Sequence, residues 1–158
     1  MPPQALMDVR TIDQGSVAVS REQIYEINPH RHEFALLDGI FFIDEGRRLM
    51  AGFADARPDA FWVRGHIPGR PLMPGVLMIE AAAQLVSYYV MGRPGFEGFL
   101  GFGGVERMKF RGQVVPGDRL IIVAYMKEMR GKRRNVADVQ GFVGEQMVYE
   151  GTITGMVI

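Results

Sequence analysis

The sequence predicts a single α+β domain in which an antiparallel sheet wraps around one long central helix. Three observations carry this. Val76 to about Met91 contains neither Pro nor Gly and is dominated at its start by Leu, Met, Ala, Glu and Gln, the composition of a helix interior. Two strand-like runs precede that segment and four follow it, and strands, one helix, then strands is an α+β order. The chain has 158 residues, 47% hydrophobic and 23% charged, which suits one domain with a full-sized core.

Each element has its own signal. Residues 1–19 read as an irregular N-terminal arm, and 20–158 as the single domain. Ser20-Arg21-Glu22-Gln23 has the spacing of a capping box, predicting a short helix to about Ile27, and Pro29 stops it. Phe34 to Ile43 reads as a strand, Asp44-Glu45-Gly46 as a turn, and Leu49 to Ala56 as a second strand. Phe61-Trp62-Val63 is expected to be a short extended piece. Residues 65–75 hold three prolines and three glycines, which forbid helix interior and central strand, so a rigid loop is expected. The helix after it spans roughly 24 Å at ~1.5 Å per residue, closed by Gly92 and Pro94. Its residues are apolar on every side except at Glu80, so it is expected to be buried all round. Phe99 to Phe110, Arg119 to Met129, Val136 to Val143 and Met147 to Val157 are the later strands. Turns at Val115–Asp118 and Arg130–Lys132 separate them.

Composition narrows the function. Lys+Arg and Asp+Glu are 18 each, so net charge argues for neither nucleic acid nor an anionic membrane. The chain has no cysteine, which excludes disulfides, thiolate nucleophiles and Cys-based metal sites and fits a cytoplasmic protein. The first 20 residues carry Asp8, Arg10 and Asp13 and no apolar run, so they do not read as a secretory signal. The charge-free stretch Pro71 to Ile79 is far too short to span a bilayer. Neutral charge favours self-association.

The chemistry centres on Glu80. Burying an unpaired carboxylate is costly, so Glu80 is expected to be neutral, hydrogen-bonded, or both. One reading is structural, with Glu80 satisfied by backbone or by Gln84 one turn along. The other reading pairs it with His66, held between Gly65 and Pro68 in the rigid loop, because a neutral imidazole is a good base near neutral pH. Pro74-Gly75-Val76 opens the helix with unpartnered N–H groups, and Gly75 lets a ligand approach the backbone, which suits a polarised carbonyl. A base, an acid and an oxyanion-binding helix end fit proton abstraction beside a carbonyl, with no metal or cofactor required.

Residues 65–84, Gly-His-Ile-Pro-Gly-Arg-Pro-Leu-Met-Pro-Gly-Val-Leu-Met-Ile-Glu-Ala-Ala-Ala-Gln, resemble the signature of the 3-hydroxyacyl-(acyl-carrier-protein) dehydratases of fatty-acid synthesis. Pro29-His30-Arg31 with Phe34 to Asp38, and Lys109-Phe110-Arg111 with Val114 to Asp118, are similar to two flanking family motifs. The likeness covers roughly residues 21–157. It implies a hot-dog fold and a homodimer, often assembled as a trimer of dimers. It implies that His66 takes the α-proton of the thioester and that Glu80, from the partner subunit, helps the β-hydroxyl leave as water. The Gly75 N–H, beside Val76, would polarise the thioester carbonyl. Ile67, Pro74, Leu77 and Gln84 would line an apolar acyl tunnel at the dimer interface. The acyl group would arrive on acyl carrier protein or CoA. A Glu on the helix matches the dehydratase branch; the related dehydratase-isomerase branch has Asp. Ile67, Trp62, Val63 and Ala60 depart from the family pattern beside the loop.

Other features are weaker. His30 and His32 have a His-x-His spacing without an acidic cluster, which favours loop packing over a metal site. The basic turn Arg130 to Arg134 reads as a solvated hairpin tip. Arg64, Lys109 and Arg111 are candidates for docking an acidic carrier. Gly101 to Gly104 marks a bulged or closely approached strand. Two other functions compete. One is an acyl-CoA thioesterase, which would need only a carboxylate to activate water. The other is a non-catalytic acyl-thioester-binding module.

Overall fold

The computed structural model describes residues 2–158; of the expected arm, residue 1 lies outside that range. Among the described residues, seven strands and two α-helices follow one another. They are β1 (Val19–Ser20), α1 (Arg21–Ile27), β2 (Gly39–Asp44), β3 (Leu49–Asp55), α2 (Gly75–Met91), β4 (Leu100–Phe110), β5 (Arg119–Met129), β6 (Asn135–Val143) and β7 (Gln146–Val157). The strands form one antiparallel sheet in the order β1-β2-β3-β5-β6-β7-β4. The long helix α2 lies against it, the hot-dog arrangement. No described helix is long and apolar enough to cross a membrane.

The period-2 alternation of β3 and β5 sorts their side chains onto two apolar layers. Met50, Ala54, Leu120, Ile122, Ala124 and Met126 face α2 and pack on Met78, Ala81, Ala82 and Leu85. Leu49, Ala51, Phe53, Ile121 and Val123 face the other way, with Phe41 stacked on Phe53 at 4.8 Å between ring centroids. The arm covers that outer layer with Leu6, Met7, Val9 and Ile12. Gln140 fastens it, accepting from Leu6 N and donating to Gln4 O, both at 2.8 Å. Strands buried on both faces read as continuous apolar runs, as β5 does.

The capping box at Ser20 is present in both directions, Gln23 N to Ser20 Oγ and Ser20 N to Gln23 Oε1. The Gly-rich start of β4 carries a register shift between Phe102 and Gly104, the bulge its glycines predict.

Three expectations need correction. Phe34 to Ile43 is not one strand; a 3-10 turn occupies His32–Phe34 and the strand begins at Gly39. The Leu36 and Leu37 N–H groups, which a strand would give to a neighbour, are taken by the Gln84 carboxamide. Phe61-Trp62-Val63 is not extended. Successive turns close from Ala60 N to Arg57 O, Val63 N to Ala60 O and His66 N to Trp62 O, folding Trp62 into the core against strand propensity. Finally, α2 is not buried all round. Val76 is 71% exposed, and Ile79, Glu80 and Ala83 are half-buried. The sheet covers one side of the helix, and the apolar residues opposite it open onto a cavity and the surface.

Candidate active site

Two parts of the chain carry the predicted chemistry, and each is rigidly built. The first is the loop ahead of α2. Its inner end is tied to the β4–β5 turn, with Met73 N donating to Val114 O at 2.8 Å, and Gly117 N of the same turn donates to Ala56 O just after β3 at 2.7 Å. Asp118 closes that turn by accepting from Val115 N at 3.0 Å. Within the loop, Leu72 N donates to His66 O at 2.8 Å, and His66 Nδ1 stands 2.8 Å from Leu72 O. A carbonyl can only accept, so Nδ1 carries the hydrogen and Nε2 keeps its lone pair. The His66 side chain is exposed on this chain. Arg64 and Ile67 are exposed beside it, and Pro74 is half-buried.

At the start of α2, Leu77 N and Met78 N donate to Pro74 O. The Gly75 and Val76 N–H groups have no partner among the described residues, as expected for a first helical turn. A methyl group at Gly75 would come within 2.7 Å of the outer end of the Phe110 ring, which is half exposed and would have to swing aside to admit it. Leu77 is buried.

The second part is the Glu80 face of α2. Glu80, Ala83, Val86 and Ser87 line a cavity of about 180 Å³ with the Phe99–Phe102 segment of β4, Ile153 to Gly155 of β7, and His30. Glu80 Oε1 accepts from Gln84 Nε2 at 3.0 Å, the intrahelical partner expected for it. Gln84 is only 2% exposed and does not line the cavity. Its Oε1 accepts from Leu36 N and Leu37 N, and its Nε2 also donates to Phe34 O at 2.7 Å. Two backbone donors on Oε1 fix which end of the amide is which, so an N–H must face Glu80.

His30 is the residue sequence reasoning passed over. Its Nε2 lies 3.4 Å from Glu80 Oε1, with side chains 18% and 20% exposed respectively. Asn28, two residues earlier, donates to the Gln84 carbonyl at 2.9 Å. Arg31 donates to Asn28 O and His30 O and lies over the Tyr25 ring. The turn is thereby pinned to α2. His32, by contrast, is exposed and borders a different cavity near Asp38 and Trp62. The signal for His30 was its place in the Pro29-His30-Arg31 motif, which carries no period that would show it meeting α2.

Burial depresses the His30 pKa below its ordinary value; nearby Glu80 opposes this and Arg31 adds to it. Unfolding then takes up a proton as pH falls below ~6.5, so this contribution to stability is present at higher pH and lost toward the depressed value. The urea midpoint is expected to be lower at about pH 5.5 than at about pH 7.5, and His30→Gln is expected to flatten that difference. An unchanged pH dependence in the variant would remove His30 as its source.

Lys109 and Arg111 lie exposed at the end of β4. Arg111 Nε donates to Glu150 Oε2 at 2.8 Å. Within one chain the structure brings together Glu80, Gln84 and His30, and separately His66 and Leu72 in the loop that leads into α2. His66 is not among the residues lining the Glu80 cavity.

Residues 28–152 match the model of the FabA-like domain. The chain is 40% identical over 135 residues to the 3-hydroxyacyl-(acyl-carrier-protein) dehydratase FabZ of Pelotomaculum thermopropionicum, covering 83% of this chain and 93% of that protein. It is 39% identical to the enzyme of the same name from Moorella thermoacetica, covering 82% and 90%. Among solved structures, a sigma28-regulated virulence protein of Campylobacter jejuni superposes with a TM-score of 0.64 at 17% identity, covering 87% and 88%. The dehydratase heterocomplex ApeI:P of Xenorhabdus doucetiae superposes with a TM-score of 0.56 at 20% identity, covering 74% and 96%. At those identities the structural likeness speaks for the fold alone.

Proposed function

Because the chain belongs to the FabA-like domain family, we propose that it is a hydro-lyase. It removes water from a 3-hydroxyacyl thioester to give the trans-2-enoyl thioester of fatty-acid synthesis. The observation that carries this reading is the His66 tautomer. The Leu72 carbonyl holds the hydrogen on Nδ1, so Nε2 is ready to take the α-proton. Gly75 and Val76 offer N–H groups to the thioester oxygen, where negative charge develops. Glu80 gives its proton to the departing β-hydroxyl.

The reaction needs His66 and Glu80 on one substrate, so the working unit is a homodimer with Glu80 supplied by the partner, able to assemble further into a hexamer. Two features support this. Strand β4 lies at the end of the sheet order and pairs with β7. It leaves Phe102 53% and Phe110 50% exposed at its two ends, with Met156 of β7 beside Phe102, an apolar edge that a second copy would cover. The acyl chain then runs between the Ile67–Leu77 segment of one copy and the Glu80 cavity of the other. Arg64, Lys109 and Arg111 meet the acidic carrier that brings the acyl group. The lack of cysteine suits work in the cytoplasm.

The test is direct. Purified protein is expected to interconvert a 3-hydroxyacyl and an enoyl thioester, followed by enoyl absorbance. The carrier-bound substrate is expected to be preferred over the CoA form, with an advantage that shrinks as salt rises. Protein that binds acyl thioesters but leaves the enoyl absorbance unchanged would sink the reading.

A further inference from the structure

We propose that His30 is a positioning residue for Glu80: together with Gln84 it directs N–H hydrogens at one carboxyl oxygen, so that the acidic proton resides on the other. This rests on the dehydratase reading.

Gln84 can present only its NH2 to Glu80, because its carbonyl end is held by Leu36 N and Leu37 N. His30 Nε2 faces the same atom, Oε1, from the other side of the turn. His30 Nδ1 is buried and has no hydrogen-bond partner. A buried N–H without a partner costs more than a buried lone pair whose donor is elsewhere, so the hydrogen belongs on Nε2, the ring nitrogen on the Glu80 side. The charged imidazolium would need a second acceptor at Nδ1, and burial disfavours it. Among the described residues, the titratable groups lining the cavity are His30 and Glu80, with Arg31 the nearby cation. The distance of 3.4 Å is long for a hydrogen bond, as resting catalytic contacts often are before substrate tightens them.

The consequence is directional. With both neighbours pointing hydrogens at Oε1, the carboxylic acid keeps its proton on Oε2. In the dehydration step the Oε2–H bond breaks and that proton joins the β-hydroxyl. The C–O bond breaks with its electron pair going to the departing water. The α C–H pair forms the new double bond as His66 takes the α-proton. The negative charge left on Glu80 is then met at Oε1 by the two N–H groups. His30 touches no reacting atom; it sets which oxygen is the acid and steadies the carboxylate that results.

The experiment compares His30→Ala, His30→Gln and His30→Asn in the full-length protein. The Gln amide nitrogen reaches about as far as Nε2, and the Asn nitrogen only as far as Nδ1. His30→Ala is expected to lower kcat on the order of 10- to 100-fold with KM nearly unchanged, less than the ~10²–10⁴ a positioned acid or base contributes. Its pH–rate profile is expected to differ from that of the wild type. His30→Gln is expected to restore most of the rate and His30→Asn little, with melting temperatures of all three close together. Equal rates in His30→Gln and His30→Asn, or a wild-type profile in His30→Ala, would overturn the proposal. A second readout needs no substrate: nitrogen-15 shifts of the His30 ring are expected to show the neutral Nε2–H form. The Nδ1–H form or a charged ring near pH 7 would refute the arrangement. Wild-type protein without dehydratase activity would defeat the functional reading instead, and the ring spectrum would still decide the His30 contact.

Discussion

His66→Ala is expected to lower kcat by ~10²–10⁴-fold, the range for loss of a positioned general base, while the protein stays folded and associated. The side chain is exposed on a single chain, and its hydrogen bond is to Leu72 O. Its removal therefore leaves no cavity, and the orphaned carbonyl can meet water. Stability should move by less than ~1 kcal/mol, so kinetics and folding separate cleanly. His66→Gln is not expected to rescue, because an amide has no lone pair of comparable basicity to offer the α-proton. A His66→Ala protein with an undiminished rate would transfer the chemistry to another residue.

The largest effect on stability is expected at Tyr149. Its ring is fully buried, lies across Gly141, its cross-strand partner on β6, and tilts against Phe110 at 6.3 Å. Its hydroxyl donates to Met78 O at 3.3 Å, two residues before Glu80, and burial keeps the phenol neutral. Tyr149→Ala is expected to cost about 3–5 kcal/mol, as for other large aromatic truncations, and to lower Tm by roughly 10 °C for a domain of this size. Tyr149→Phe keeps the ring and should lose about 1 kcal/mol. Calorimetry on both variants checks the split. A loss below ~1 kcal/mol for Tyr149→Ala would show that the ring is not what holds α2 to the sheet.

The parts of this molecule that were legible in the sequence are those governed by local rules. The capping box at Ser20, the glycine and proline loop before α2, the length of α2 and the boundaries of β5 all follow from turn chemistry and periodicity, and all stand in the structure. The family motif carried the fold and the reaction class. What was not legible depends on which side chains meet across long separations. Residues 34–38 lose their strand because a 3-10 turn takes the Phe34 and Ala35 hydrogens and a glutamine about 48 residues later takes those of Leu36 and Leu37. Trp62 turns inward although its neighbours favour extension. α2 reads as uniformly apolar, yet the side bearing Val76 and Ala83 is left open, because composition does not say on which side a helix is covered. His30 reads from the sequence as a loop-packing residue, and nothing local shows that its ring meets Glu80 while that of His32 goes elsewhere.

The fastening of the arm has a bearing on how the chain reaches this state. Leu6 and Gln140 are separated by 134 positions, so their contact can close only after β5, β6 and the strands between them have assembled. Contacts of that span form slowly because a long loop must be closed first. Until they form, the outer apolar layer of Leu49, Ala51, Ile121 and Val123 lacks the cover of the arm, and a nascent or partly refolded chain presents an adhesive surface to its neighbours. Refolding yield should therefore depend on protein concentration even where the final fold does not.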